Sequence, residues 1–111
     1  MARPAVSDDV FRAIADPVRR RILVRLADGE QPASELAAEF DVTFSAVSQH
    51  LKLLRDSQLV AERRDGRQRI YRLEPKPLEE VSEWIAHFEQ FWIERLGALG
   101  TYLKKKKREK K

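Results

Sequence analysis

Residues 43–55 read TFSAVSQHLKLLR, and this segment decides the fold. Val47, Leu51 and Leu54 recur at the spacing that places apolar side chains on one face of a helix. The opposite face carries short polar side chains and one cation, which are Ser45, Ser48, Gln49 and Lys52. Such side chains reach base edges in a DNA major groove, while neighbouring positive charge holds the phosphates. The segment is therefore a candidate recognition helix.

The residues directly before this helix predict a partner for it. Pro32 suits the first position of a helix, and Asp41-Val42 is expected to form a short turn after that helix. Thr43 is well placed to cap the recognition helix. Two helices joined by a turn of this length form a helix-turn-helix, here over residues 32–57.

Two further helices are expected nearer the beginning of the chain. Ser7 is expected to cap a first helix over about residues 8–15. Asp16-Pro17 then begins a second helix, because Asp caps well and Pro fits the first helical position. Asp28-Gly29 marks the end of that helix.

A β-hairpin is predicted directly after the recognition helix. Residues 59–64 and 67–73 have the composition of strands, and Asp65-Gly66 between them is a strong signal for a two-residue turn with positive φ at both positions. A hairpin in this place is a wing, predicted over residues 59–73. Its tip carries Arg64 and Arg67.

The last part of the chain predicts one long helix over residues 78–103, with an apolar stripe rich in Trp and Phe. A small helix-turn-helix body cannot cover a stripe of that length, so it would leave a large apolar patch on a monomer. Dimerisation is therefore favoured over a purely monomeric core or a ligand pocket. The predicted dimer residues are Val10, Phe11, Ile14, Trp84, Phe88, Phe91, Trp92, Leu96 and Leu99.

Length and charge fit this interpretation. The 111 residues predict a single mainly α domain with a small β-hairpin (α+β) over residues 1–103, followed by a basic tail. Residues 104–111 carry a net charge of +6, so the rest of the chain is net −2. Basic residues are nevertheless concentrated between residues 19 and 72, which suggests one surface that meets phosphate. The tail is expected to be a disordered solvated end that could add nonspecific DNA affinity.

Several function classes are disfavoured by what the chain lacks. It has no cysteine, which removes disulfides and thiolate metal sites. It has two histidines, no phosphate-binding glycine loop and no nucleophile elbow, so an enzyme is not expected. No apolar run is long enough to span a membrane, and the beginning of the chain lacks a signal core. A cytoplasmic protein, nucleoid-associated when bound to DNA, is expected.

The candidate DNA contacts lie on the recognition helix and the wing. Ser45, Ser48 and Gln49 are expected to face the bases, whereas His50 lies at the flank and is expected to contact a phosphate or to cap local structure. The wing arginines are expected to contact phosphates or the minor groove, although arginines on a hairpin are often only solubilising. Arg19 and Arg20 are weighed equally as structural ion pairs and as phosphate contacts. The full predicted set is Thr43, Phe44, Ser45, Ser48, Gln49, His50, Lys52, Arg64, Arg67 and Arg69.

Three segments together resemble the ArsR/SmtB-type winged-helix repressors. They are AIADPVRRRIL at residues 13–23, SAVSQHLKLL at residues 45–54 and GRQRIYRL at residues 66–73, and their spacing is kept as well. The resemblance implies a bacterial homodimeric repressor, dimerising through its first and last helices. It also implies binding to a palindromic operator and release by an inducer, a small molecule or a protein.

The departures from that family concern its metal sites. The stretch that carries thiolates in metal-sensing members is ELAAE here, at residues 35–39, and His87 cannot be aligned with the ligand pattern of the last helix. No metal and no cofactor is therefore expected. The chain resembles the cysteine-free branch with an FWxxRL segment, at residues 91–96. Two alternatives stay open: a winged-helix module that binds protein instead of DNA, and a repressor that responds to a metal held by His and carboxylates.

Overall fold

The structure is a computed structural model that describes the backbone of residues 6–95 and the side chains of residues 9–95. The elements are α1 (Val6–Ala13), α2 (Pro17–Ala27), β1 (Gln31–Pro32), α3 (Ala33–Phe40), α4 (Phe44–Asp56), β2 (Val60–Asp65), β3 (Gln68–Leu73) and α5 (Leu78–Ala86). Residues 89–95 are also helical. The predicted order of helices, hairpin and last helix is confirmed. The described residues fall into two compact units that divide between Val81 and Ser82.

The predicted caps account for two of the helix starts, and a third prediction was wrong. The Asp16 carboxylate accepts from the backbone N–H of Arg19 at 3.0 Å, and α2 begins at Pro17 as expected. The Thr43 hydroxyl accepts from the N–H of Ala46 at 3.0 Å and begins α4. Ser7 is not a cap, because α1 already begins at Val6.

A short strand precedes the helix-turn-helix that was not predicted. Gln31 pairs with Tyr71 and Pro32 with Ile70, so the sheet has the order β1-β3-β2 and is antiparallel throughout. Pro32 therefore belongs to an edge strand, where a missing N–H is tolerated, and α3 begins one residue later than expected. The strand joins α3 to the base of the wing.

The turn between α3 and α4 is tight because Asp41 adopts a left-handed conformation. Its φ is 56° and its ψ is 45°, a region that Asp tolerates better than most residues. The N–H of Val42 then donates to the carbonyl of Ala37 at 3.3 Å. The predicted helix-turn-helix is present at these residues.

One buried core holds α2, α3, α4 and the sheet together. Every element of residues 13–73 except β1 contributes at least one side chain to it, and Tyr71 is the one residue there with a polar side-chain group. The core consists of Ala13, Ile22, Leu23, Leu26, Ala33, Leu36, Ala37, Val47, Leu51, Leu54, Leu59, Val60 and Tyr71. Since α4 supplies three fully buried side chains, its rotation about its own axis is fixed.

The predicted uninterrupted helix over residues 78–103 was wrong within the described part. α5 ends at Ala86, and His87 and Phe88 form a turn. The Nδ1 atom of His87 lies 3.0 Å from the carbonyl of Glu83, the oxygen that its own backbone N–H would use in an α-helix. That N–H bonds to Trp84 at 3.1 Å instead. Residues 96–103 lie outside the described residues.

Candidate nucleic-acid interface

The burial of one face of α4 decides what its other face presents. Val47, Leu51 and Leu54 have no exposed surface. Since side chains on the opposite side of a helix then point outward, the exposed ones are Phe44, Ser45, Ser48, Gln49, Lys52 and Asp56. This outer face holds hydroxyl, amide and ammonium groups around one aromatic ring, and a single carboxylate at its last residue.

A groove of about 710 Å³ runs between this outer face and the wing. We call it the α4–wing groove. One wall comes from α4, a second from β3 and the hairpin turn, and the third from β1 and the start of α3. The lining residues are Pro32, Ala33, Ser34, Phe44, Ser45, Ser48, Gln49, Lys52, Arg55, Arg67, Gln68, Arg69 and Tyr71.

The tip of the wing differs by one residue from the sequence prediction. Asp65 pairs with Gln68, so the two turn residues are Gly66 and Arg67 instead of Asp65 and Gly66. Only Gly66 has a positive φ, of 66°. A glycine with positive φ at the first turn position fits a type II′ hairpin. This turn places Arg67 at the tip, beside the groove.

Many of the basic residues between residues 19 and 72 are held by carboxylates. Five ion pairs within the described residues span 2.8–3.2 Å, and they are Arg25–Glu39, Lys52–Asp56, Arg55–Glu62, Arg63–Glu30 and Arg72–Glu74. The bond from Arg63 lowers the pKa of Glu30, and it ties β2 to the loop before β1. In contrast, Arg64 and Arg67 are exposed and form no ion pair within residues 9–95.

Arg19 and Arg20 have structural roles at the end of α1. The guanidinium of Arg19 donates to the carbonyls of Ala13 at 2.7 Å and Arg12 at 3.2 Å. Arg20 donates to the carbonyl of Ile14 at 2.9 Å. Among the described side chains of residues 9–95 they do not form the ion pairs that were one of the two expectations, because backbone carbonyls left open at the helix end accept instead.

His50 joins this arrangement from the flank of α4. Its Nδ1 atom lies 3.3 Å from Nη1 of Arg19. Since arginine only donates, Nδ1 accepts, and a neutral ring then carries its proton on Nε2. The half-buried ring thus links α4 to α2.

The groove brings together seven of the predicted DNA-contact residues: Phe44, Ser45, Ser48, Gln49, Lys52, Arg67 and Arg69. Thr43, His50 and Arg64 do not line it. The sequence interpretation missed Ser34, Arg55, Gln68 and Tyr71 at the groove. Arg55 follows Lys52 by three positions, a spacing on the same side of the helix that could have indicated it.

The predicted dimer residues differ in exposure. Val10 is fully buried, so it offers no surface to a partner, and Phe11 and Ile14 are half-buried. The exposed large apolar side chains between residues 84 and 93 are Trp84, Ile85, Phe88, Phe91, Trp92 and Ile93. Leu96 and Leu99 lie outside the described residues. The rings of Trp84 and Phe88 meet edge to face at 5.2 Å.

Neither a metal site nor a membrane span is found within the described part of the chain. There, no group of three or more His, Cys, Asp or Glu side chains is arranged to hold an ion. None of the helices in residues 6–95 combines the length and the apolar character that crossing a bilayer requires.

Comparisons with known proteins agree on one family. Residues 16–62 match the model described as bacterial regulatory protein, arsR family. The chain is 39% identical over 89 residues to the HTH-type transcriptional regulator Rv2034 of Mycobacterium tuberculosis, covering 80% of either chain. It is 32% identical over 81 residues to the transcriptional repressor SdpR of Bacillus subtilis, covering 73% of this chain and 90% of that one.

A solved structure supports the same assignment. The crystal structure of an ArsR family transcriptional regulator superposes with a TM-score of 0.71 at 34% identity, covering 79% of this chain and 97% of that one. These relatives are regulators and not enzymes, and they do not favour the two alternative functions. The chain belongs to the arsR family of bacterial regulatory proteins and is a winged helix-turn-helix transcriptional regulator that acts on DNA.

Proposed function

We propose that the chain is a homodimeric repressor in which each α4 enters the major groove of one operator half-site. The observation that carries this proposal is the α4–wing groove, where the polar face of α4 lies next to Arg67 and Arg69. The polar face can contact base edges while the neighbouring arginines contact phosphates.

The base contacts are assigned to the exposed middle of α4. The amide of Gln49 can pair with adenine through two hydrogen bonds, and the hydroxyls of Ser45 and Ser48 can serve bases or phosphates. Phe44 adds an apolar surface, 58% exposed, that suits contact with a thymine methyl.

The phosphate contacts are assigned to the ends of the interface. Arg64, Arg67 and Arg69 reach from the wing, and Lys52 lies in an exposed pair with Asp56 that holds it only weakly. The backbone at Thr43 begins α4 and offers N–H groups to a phosphate. His50 can donate from Nε2, because Arg19 occupies Nδ1.

Dimerisation is assigned to the exposed apolar side chains of residues 84–93, with help from Phe11 and Ile14 and from Leu96 and Leu99. Trp84, Phe88, Phe91 and Trp92 are each 41–54% exposed, more apolar surface than a short segment usually leaves in water. Two recognition helices about 34 Å apart would read half-sites one helical turn apart, so the operator is an inverted repeat.

The regulation proposed here follows from the same features. The protein acts in the bacterial cytoplasm, at the nucleoid, and it represses genes that include its own. SdpR, which the chain resembles over most of its length, is named a transcriptional repressor. The inducer is a small molecule or protein and not a thiolate-bound metal, since the chain has no cysteine.

A salt-titrated binding experiment tests this function. The purified chain is titrated onto labelled DNA from upstream of its own gene, with a mixed-sequence duplex of equal length as the control. We expect tighter binding to the upstream DNA, with an affinity that falls steeply as salt rises. Equal affinity for both duplexes, or no binding at low salt, would contradict the proposal.

A further inference from the structure

A carboxylate lies beside the cations of the α4–wing groove. Oε1 of Glu62, on β2, is 2.9 Å from Nη1 of Arg55, on α4. Oε1 is buried and the two atoms lack the alignment of a hydrogen bond, so the contact is an ion pair. This pair joins the recognition helix to the wing.

The same carboxylate lies near two residues of β3. Glu62 pairs directly with Tyr71 in the β2–β3 register. The neighbouring Tyr71 hydroxyl, together with the positive charges of Arg55 and Arg69, holds the pKa of Glu62 below its usual value. Burial raises the pKa of Tyr71, and Glu62 adds to this effect. Glu62 is therefore ionised at neutral pH, paired with Arg55 and attracted by the more distant charge of Arg69.

The negative charge of Glu62 weakens the electrostatic attraction between the groove and DNA phosphates. Arg55, Arg69 and Tyr71 all line the groove, and a carboxylate behind them cancels part of the positive charge that would attract phosphates. Nonspecific binding depends almost entirely on such attraction. A negative charge at this point therefore lowers the affinity for nonspecific DNA more than the affinity for a specific sequence, because specific binding also depends on fixed side-chain geometry.

We infer that Glu62 is a specificity-determining residue, which holds the guanidinium group of Arg55 in a fixed position and away from indiscriminate phosphate contact. The inference rests on the proposed function, since it assumes that DNA occupies the α4–wing groove. Glu62 itself is a positioning residue that acts through Arg55.

Glu62→Gln removes the charge and keeps the size of the side chain. Freeing one guanidinium adds about one phosphate contact, which steepens the salt dependence of nonspecific binding by about 0.9 in log–log slope. The gain in nonspecific affinity should thus be roughly threefold greater at 50 mM than at 200 mM salt. Affinity for the operator should stay level or fall, so the ratio of operator affinity to nonspecific affinity decreases.

Two further variants separate this role from a structural one. Glu39→Gln breaks a pair of the same length, Arg25–Glu39 at 2.9 Å, outside the groove, and should change neither affinity. The double variant Glu62→Gln with Arg55→Gln lacks the released cation, so its nonspecific affinity should return toward that of the wild type.

The test measures the affinities of all four proteins for a duplex selected from a random-sequence library and for poly(dI-dC), across a salt series. A higher nonspecific affinity of Glu62→Gln, reversed in the double variant, supports the inference. Parallel changes in both affinities, or no change, overturn it while the proposed function stands. Failure of the wild type to select any sequence overturns both.

Discussion

The Nη1 atom of Arg19 on α2 lies 3.3 Å from Nδ1 of His50 on the recognition helix. The same guanidinium binds the carbonyls of Ala13 and Arg12 at the end of α1. One side chain therefore sets three helices relative to each other. The orientation of α4, the proposed recognition helix, thus depends on a contact outside the α4–wing groove.

Arg19→Lys should destabilise the fold by about 1 kcal/mol, because one ammonium group cannot reach all three acceptors. The measurement is the urea concentration at the midpoint of unfolding. Arg20→Lys is the matched control, since Arg20 makes a single carbonyl contact, at 2.9 Å, and is exposed. Equal losses in the two variants would show that the additional contacts of Arg19, with Arg12 and His50, add nothing to stability.

Asp16→Ala should cost about 1 kcal/mol of stability at neutral pH, because α2 loses its cap. The backbone N–H of Arg19 is the main reason that the pKa of Asp16 lies below its ordinary 3.8. A group whose pKa is lowered by folding stabilises the protein above its unfolded pKa, and this contribution is lost as the pH falls through the folded pKa. The difference between wild type and variant should therefore shrink below about pH 3.8.

Asp16→Asn separates the cap from the charge, since asparagine caps as well as aspartate but does not titrate. Its stability should follow that of the wild type at neutral pH and show none of the acid-dependent loss that arises at this position. Unfolding curves over a pH series check both variants. A difference between wild type and Asp16→Ala that grows in acid would refute the assigned direction.

Some of these features followed from the sequence because their causes are local. The spacing of Val47, Leu51 and Leu54 and the cap at Thr43 are enough to place α4 and its outer face. The same holds for the cap at Asp16. Local patterns thus predicted the helix-turn-helix and most of the groove residues.

Other features depend on partners distant in the sequence. β1 forms because Gln31 pairs with Tyr71. The proposed role of Glu62 depends on Arg55 and Tyr71, which lie beside it only in the folded chain. No pattern within residues 59–64 identifies such a pairing. The break in the helix at His87 likewise depends on the contact between the His87 side chain and the backbone carbonyl of Glu83. The spacing of apolar residues gives no sign of such a contact.

Arg67→Ala should weaken binding to all DNA sequences about evenly and flatten the salt dependence by about 1 in log–log slope, because one phosphate contact is lost. Affinities for operator and mixed-sequence duplexes over a salt series provide the measurement. Arg72→Ala, on the same hairpin but paired with Glu74 at 3.1 Å, is the control and should leave the slope unchanged. A loss confined to the operator would instead make Arg67 a base-reading residue.

Phe91→Glu should convert the proposed dimer to monomers, because an apolar interface would desolvate the new carboxylate. Phe91 is 49% exposed within the chain, so the fold itself should tolerate the change. Sedimentation equilibrium reports the mass, and operator affinity should fall with it. Val24→Glu is the control, because Val24 is 71% exposed on α2 and is not one of the proposed interface residues. An unchanged mass for Phe91→Glu would remove this surface from the dimer.

The most direct test of the central claim compares the base preferences of wild type and Gln49→Ala on the selected operator, one base pair at a time. We expect a loss of roughly 1–3 kcal/mol and a relaxed preference at one position in each half-site, placed symmetrically about the centre. The exposed position of Gln49 leaves the fold intact, which the unfolding midpoint verifies. Unchanged affinity and preference in Gln49→Ala would contradict the claim that this face of α4 reads the bases.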